Sequence, residues 1–194
     1  MNKYIKLLKT EILSNNWYIL KKLTFEQKNK RTGEWEMVTR EAYDRGNGAA
    51  LLLYNKKKQT IILTRQFRMP TFINGNEDGM MLEVCAGLLD DHNPEECIRI
   101  ESEEETGYQV HDVKKVMQAY MSPGSVTEIL HFFIAEYEDH MKISDGGGLA
   151  TDHEQIDVVE MTWEEAKASL VSGEINDAKT IILIQYAIIH KLMD

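Results

Sequence analysis

The spacing of apolar and polar positions changes several times along the chain, and each change marks an element. Tyr18–Glu26 and Glu34–Tyr43 read as extended runs on either side of the polar turn Lys28–Gly33 (KNKRTG). Asp44–Gly48 (DRGNG) is rich in turn residues and marks a boundary. Residues 1–44 are therefore expected to form a small antiparallel β extension and residues 45–194 the main domain. There, Ala49–Tyr54 and Gln59–Phe67 predict a hairpin joined at Asn55–Lys58. Met80–Cys85 predicts a short apolar strand carrying one acid, Glu83. Further strands are expected at Met117–Met121, Ile129–Tyr137 and Ile156–Met161, with a long loop at His140–Gln155 containing Gly146, Gly147 and Gly148.

Three helices interrupt this β pattern, which makes the fold class α/β. Asn93-Pro94-Glu95-Glu96 is a helix start: Asn accepts from free backbone N–H groups, Pro fits the first turn, and acids suit the positive end of the dipole. Gly107 is the matching stop, so the helix is predicted over Pro94–Thr106. Thr162-Trp-Glu-Glu165 is a capping box that opens a second helix. Asp177 caps the last one, which runs through Ile181–Leu192 and is apolar nearly all round, as expected of a buried helix or a subunit contact.

Charge sharpens the picture. The net charge of −10 argues against a general nucleic-acid binder, which needs a basic footprint. Residues 1–68 nevertheless carry 15 Lys/Arg against 6 Asp/Glu, whereas the remainder carries 7 against 26. An anionic substrate held between such parts needs divalent cations to bridge it to the carboxylates. No run approaches a membrane span, and Met1–Thr10 lacks the apolar block of a secretory signal. Cys85 and Cys97 sit among apolar residues and read as reduced thiols, so the expected compartment is the cytoplasm.

The chemistry concentrates in Ala86–Tyr108, AGLLDDHNPEECIRIESEEETGY. Glu101, Glu104 and Glu105 are three and four residues apart, on one face of the predicted helix. They also lie in its C-terminal half, where the dipole disfavours negative charge. Each like-charge pair costs about 0.2–0.5 kcal/mol. Hard divalent cations, which want several oxygen ligands, explain that density of carboxylates; a solvated acidic face is the alternative reading. Lys179, in the first turn of the last helix, is a cation at the wrong end of the dipole. Arg68, at the end of the RQFR strand, reads as a phosphate clamp, with Arg65 and Arg40 as further candidates. The histidines show no metal-ligand spacing such as H-E-x-x-H, and no Ser-His-Asp or Cys-His set suggests covalent catalysis.

These residues carry a resemblance. The segment is similar to the Nudix box: Gly, five residues, Glu, seven residues, then Arg-Glu-aliphatic-x-Glu-Glu-x-Gly. Gly87 matches the opening Gly, and Glu101, Glu104, Glu105 and Gly107 match the core of the second half. Asn93 stands at the first Glu, the spacer is one residue short, Ile100 replaces Arg, and Ser102 replaces the aliphatic. DRGNGAALLLYN, RQFR, NGNEDG, CAGLLD, YMSPGSVTE, HFFIAEY and DAKT extend the resemblance to the GDP-mannose hydrolase branch of the ADP-ribose pyrophosphatase-like group, over nearly the whole chain.

The resemblance implies an α/β/α sandwich, a mixed sheet between helices, with the N-terminal β domain exchanged across a homodimer. It implies that Glu101 and Glu105 ligate Mg²⁺ (or Mn²⁺ in its place), with help from Glu104 and the Ala86 carbonyl. A general base is expected from the Gly-rich loop, Glu154 first and Asp152 second. Lys179 resembles a substrate-binding lysine of the branch, Trp17 an aromatic that stacks on the base, and Glu83 joins the substrate-binding set. Thr39 falls where the branch carries a lysine. The expected substrate is a nucleoside diphosphate sugar, most simply GDP-mannose, cleaved to GMP and mannose 1-phosphate. ADP-ribose cleavage and an inactive nucleotide-sugar-binding module are the competing expectations.

Overall fold

The computed structural model describes residues 2–149 and 155–194, arranged as two compact units. The first comprises residues 1–47 and 120–129. Its sheet is a three-stranded meander of β1 (Ile5–Asn15), β2 (Ile19–Lys28) and β3 (Trp35–Asp44), antiparallel in that order. The sequence pattern identifies β2 and β3 but not β1. The reason is visible in the pairing: the register slips between Leu7 and Lys9 and again between Ile12 and Ser14. Each irregularity inserts a residue, which breaks the period-2 alternation that betrays a strand.

The second unit, residues 48–119 and 130–194, is built on a seven-stranded mixed sheet. Strand β4 (Gly48–Asn55) lies at its centre, with β5 (Thr60–Phe67) on one side and β9 (Ile129–Glu136) on the other. β10 (Ile156–Thr162) and β8 (Lys114–Tyr120) complete the order β10-β5-β4-β9-β8. β4 runs parallel to β9 and antiparallel to β5. Ala49 to Leu53 are all fully buried, so β4 is covered on both faces. Its alternate residues Ala49, Leu51 and Leu53 pack with Cys97 and Ile98 of α2 (Pro94–Glu101). Helices α3 (Trp163–Ser172) and α4 (Ala178–Ile189) follow β10 and pack on the sheet through Ala166, Leu183, Ile184 and Ala187.

The predicted strand Met80–Cys85 is two strands. β6 (Met80–Glu83) pairs with β5, and β7 (Cys85–Leu88) crosses to pair with β4. At the break Val84 N–H leaves the ladder and donates to Thr180 Oγ1 of α4 at 2.8 Å, so no buried donor is orphaned. The crossing sends Glu83 and Ala86 toward the same region from different strand pairs. A short helix α1 (Met69–Phe72) starts the connection from β5 to β6. Both predicted caps form: Thr162 and Glu165 make a reciprocal capping box, and Asp177 accepts from Thr180 N–H. Helix α4 is not apolar-buried all round, since Ile188 and Ile189 are exposed. Among the described residues no helix is long and apolar enough to cross a membrane.

Candidate active site

The predicted helix over Pro94–Thr106 changes hand-hold half-way. It is α-helical to Glu101 and then widens into a π-type turn, Ser102–Thr106, before Gly107 ends it with φ +79°. Two hydroxyls accompany the widening: Thr106 Oγ1 donates back to Ser102 O, and Ser102 Oγ donates to Tyr108 O at 2.9 Å. The wider turn swings Glu105 inward, where it is 3% exposed and accepts from Ala86 N–H at 3.2 Å. So the three glutamates do not share one regular α-helical face; Glu105 points into the protein while Glu101 and Glu104 stay half-buried. Wide turns of this kind recur at functional sites.

Glu101 lies over Gly87 on β7, so closely that a Cβ there would overlap its carboxylate. Burial pushes the Glu105 carboxyl up to about 8, the negative charge of Glu101 adds to the rise, and contacts to Cys85, Ala86 N–H and Arg68 only partly oppose it. Burial also raises the Cys85 thiol, helped by Glu105 and Glu101. Two carboxylates are thus held close together, one of them almost fully buried.

Glu83, 3% exposed, anchors a second constellation. Arg68 grips it with both arms of the guanidinium, Nε to Oε1 at 3.0 Å and Nη2 to Oε2 at 2.8 Å. Lys179 Nζ reaches the same Oε2 at 2.8 Å and also meets Asp177 Oδ1 at 3.1 Å. The misplaced cation at the start of α4 is thus explained by two carboxylates, one from β6 and one from its own cap. Burial alone would raise the Glu83 carboxyl; the Arg68 hydrogen bonds and the Lys179 charge outweigh it and hold it at about 2. Arg68 keeps 39% of its side chain exposed, so it can still present N–H groups outward. Glu105 acts electrostatically on Arg68, which ties the two constellations together.

The remaining candidates fall elsewhere. Arg65 is exposed and, because Thr64 and not Arg65 stands opposite Glu83, it occupies the other face of β5. Arg40 and Trp17 belong to the N-terminal unit; Arg40 donates to Thr39 O, and Trp17 is 86% exposed, edge-on to Tyr18. Asp152 and Glu154 lie outside the described residues. The three glycines of that loop have defined partners. Gly146, Gly147 and Gly148 all have positive φ, and the N–H groups of Gly147 and Gly148 donate to Glu105 O and Glu104 O at 2.9 and 3.0 Å. They cap the carbonyl end of the π turn, which needs left-handed backbone and close approach. The sequence reading took Asp177 only as a cap and missed it as the second partner of Lys179; the spacing D-x-K across a helix start was the available signal.

A family model described as the NUDIX domain matches residues 44–182, most of the chain. The chain belongs to the Nudix family. A second model, described as the GDP-mannose pyrophosphatase NudK N-terminal domain, matches residues 4–43. The chain is 54% identical over 190 residues to a protein of Pectobacterium atrosepticum named GDP-mannose pyrophosphatase, covering 98% of this chain and 97% of the relative. It is 53% identical over 193 residues to a protein of that name from Yersinia enterocolitica, and 50% over 194 residues to one from Salmonella typhimurium, both covered end to end.

Nudix hydrolases generally need a divalent metal, and the residues here fit one. Glu105, whose carboxyl burial and then the charge of Glu101 push up to about 8, is the kind of donor that a hard cation converts to a ligand. Among the described residues no three acidic, His or Cys side chains gather closely enough to hold a metal ion by themselves. A linkage consequence follows. Glu105 titrates above its ordinary 4.5, so without metal its contribution to stability is present below that value and lost as pH rises through about 8. The rise in Tm produced by Mg²⁺ over EDTA is expected to grow between about pH 5 and pH 9; a constant rise would contradict the assignment.

Proposed function

We propose that this protein is a divalent-metal-dependent pyrophosphohydrolase that cleaves GDP-mannose to GMP and mannose 1-phosphate. The observation that carries the chemistry is the juxtaposition of the crowded pair Glu105 and Glu101 with the cations Arg68 and Lys179 on Glu83. One half suits a cation and the other an anion, as a pyrophosphate bound through metal requires. The substrate is carried over from the full-length relatives, which are named for it.

Glu101 and Glu105 would hold Mg²⁺, or Mn²⁺ in its place, with Glu104 and the Ala86 carbonyl supporting them. When bound, the ion lowers the pKa of a ligated water and offsets charge on the pyrophosphate. Arg68 and Lys179 orient the phosphoryl oxygens, and Glu83 fixes both cations so that no side-chain ordering is left to the moment of reaction. Burial of Glu105 keeps bulk water from competing for the ion. Glu154, or Asp152 after it, takes the proton from the attacking water, an assignment made on sequence position within the loop whose stem caps Glu104 and Glu105. By sequence position, Trp17 and Arg40 are assigned to the nucleotide.

That unit leaves Leu7, Ile12 and Met37 more than 60% exposed on its own sheet. Such apolar exposure fits a homodimer in which residues 1–44 are exchanged between protomers. The buried free thiols Cys85 and Cys97 support the reading of a reducing compartment, the cytoplasm.

Product analysis on GDP-mannose and ADP-ribose side by side, with and without EDTA, tests the reading. GMP release from GDP-mannose that EDTA abolishes is the expected result. Preference for ADP-ribose would reassign the substrate, and no metal-dependent cleavage of either would leave only a binding module.

A further inference from the structure

Asp177 uses its two carboxylate oxygens for different tasks. As the cap of α4 it needs only one. Oδ2 accepts from Thr180 N–H at 3.0 Å, which satisfies a backbone donor left free at the helix start. The same Oδ2 also accepts from the Thr180 hydroxyl at 2.7 Å. Oδ1 meets Lys179 Nζ at 3.1 Å. The Asp177 side chain is only 16% exposed, so neither contact is a loose surface one. Asn caps a helix as well as Asp does, so capping accounts for the first oxygen and leaves the second, and the charge, unexplained.

Thr180 carries the contact further. It is fully buried, and its hydroxyl has one proton to give. With that proton given to Asp177, a lone pair of Oγ1 is left to accept from Val84 N–H at 2.8 Å. A carboxylate only accepts, so Asp177 sets the direction of the whole relay. Val84 is the residue at which the chain crosses from β6 to β7. On one side of it Glu83 holds Arg68 and Lys179; on the other, Ala86 N–H holds Glu105. One side chain at the start of α4 therefore reaches both constellations, Lys179 directly and the strand crossover through Thr180.

We propose that Asp177 is a positioning residue for pyrophosphate cleavage. One oxygen holds Lys179 against Glu83, and the other, through Thr180, holds the crossover that spaces Glu83 from Ala86. The inference rests on the pyrophosphohydrolase reading above and adds to it what keeps the anion-binding and cation-binding halves in register. Asp177 acts through Lys179 and Val84, not on the reacting atoms.

Two substitutions separate the two oxygens. Asp177→Asn keeps the cap, because an amide oxygen can accept from the Thr180 N–H and hydroxyl, but it turns an amide donor toward Lys179. Thr180→Val keeps the shape and removes the acceptor of Val84 N–H. Steady-state kinetics on GDP-mannose at saturating Mg²⁺ are measured for each. Asp177→Asn is expected to lower kcat/KM by about tenfold, chiefly through KM, since Lys179 keeps Glu83 but loses its second restraint. In a Lys179→Met background the same substitution is expected to change kcat/KM by less than about twofold, because the residue it acts through is gone. Thr180→Val is expected to lower kcat by about tenfold, and Thr180→Ser, which restores the hydroxyl, to stay within about twofold of the wild type. If Thr180→Val fails to fold, Thr180→Ser and the Asp177/Lys179 cycle still decide the matter. An Asp177→Asn loss of equal size with and without Lys179, or no loss at all, overturns the proposal and leaves Asp177 a cap, with the pyrophosphohydrolase reading standing. Thr180→Ser as impaired as Thr180→Val overturns the relay to Val84. A wild type that cleaves no nucleotide sugar overturns both readings.

Discussion

Glu105→Gln is expected to lower turnover of GDP-mannose at saturating Mg²⁺ by on the order of 10²–10³-fold, the equivalent of the several kcal/mol of transition-state charge that a well-held cation offsets. The amide keeps the shape of the carboxylate and can still accept from Ala86 N–H, so the π turn should stand. What it loses is the negative charge. That loss separates a metal-binding role from a structural one. In EDTA at about pH 8 and above, where wild-type Glu105 must ionise beside Glu101, the Gln variant is expected to melt higher than the wild type. On adding Mg²⁺ the order should reverse, because only the carboxylate gains a cation. Thermal melts of both proteins with and without metal check this. A Gln variant that melts lower than the wild type in EDTA at that pH, or that turns over at the wild-type rate, would remove Glu105 from the metal site.

Much of this arrangement is legible in the sequence, and the exceptions have physical causes. The helix start at Asn93-Pro94 and its stop at Gly107 are local chemistry, carried by a side-chain acceptor and a left-handed backbone, and need no knowledge of the rest of the chain. The density of glutamates between them announces a cation for the same local reason. The π turn is not legible, because the Ser102 hydroxyl that helps hold it donates to Tyr108 O, beyond the end of the helix. Strand β1 hides behind its two register slips. The break at Val84 depends on Thr180, 96 residues away. Lys179 is an intermediate case: its poor position at a helix start flags it from sequence, but its partner Glu83 is set by sheet topology. The glycines of the 146–148 loop are legible only as a glycine-rich stretch. Their three positive φ values and two contacts to the Glu104 and Glu105 carbonyls depend on where the chain returns after the π turn.

Glu83→Ala is expected to be the most destabilising single change at the site, at about 3–5 kcal/mol, because it removes the shared partner of two cations and leaves them facing each other. For a chain of this size that corresponds to a fall in Tm of roughly 10 °C. The wild-type pH profile gives an independent measure. Glu83 titrates at about 2 where 4.5 is ordinary, since Arg68 and Lys179 outweigh its burial. Its contribution is therefore present above about 4.5 and lost as pH falls toward 2, and the shift corresponds to about 3 kcal/mol. Glu83→Gln, which keeps the volume, should accordingly melt well below the wild type at pH 6 and close to it at pH 2. The Gln variant should also raise KM for GDP-mannose, since Arg68 and Lys179 would no longer be fixed relative to each other, while Lys179 retains Asp177 at 3.1 Å. A gap between wild type and Gln variant that persists undiminished at pH 2 would mean that Glu83 contributes through packing, and the two cations would need another reason to converge.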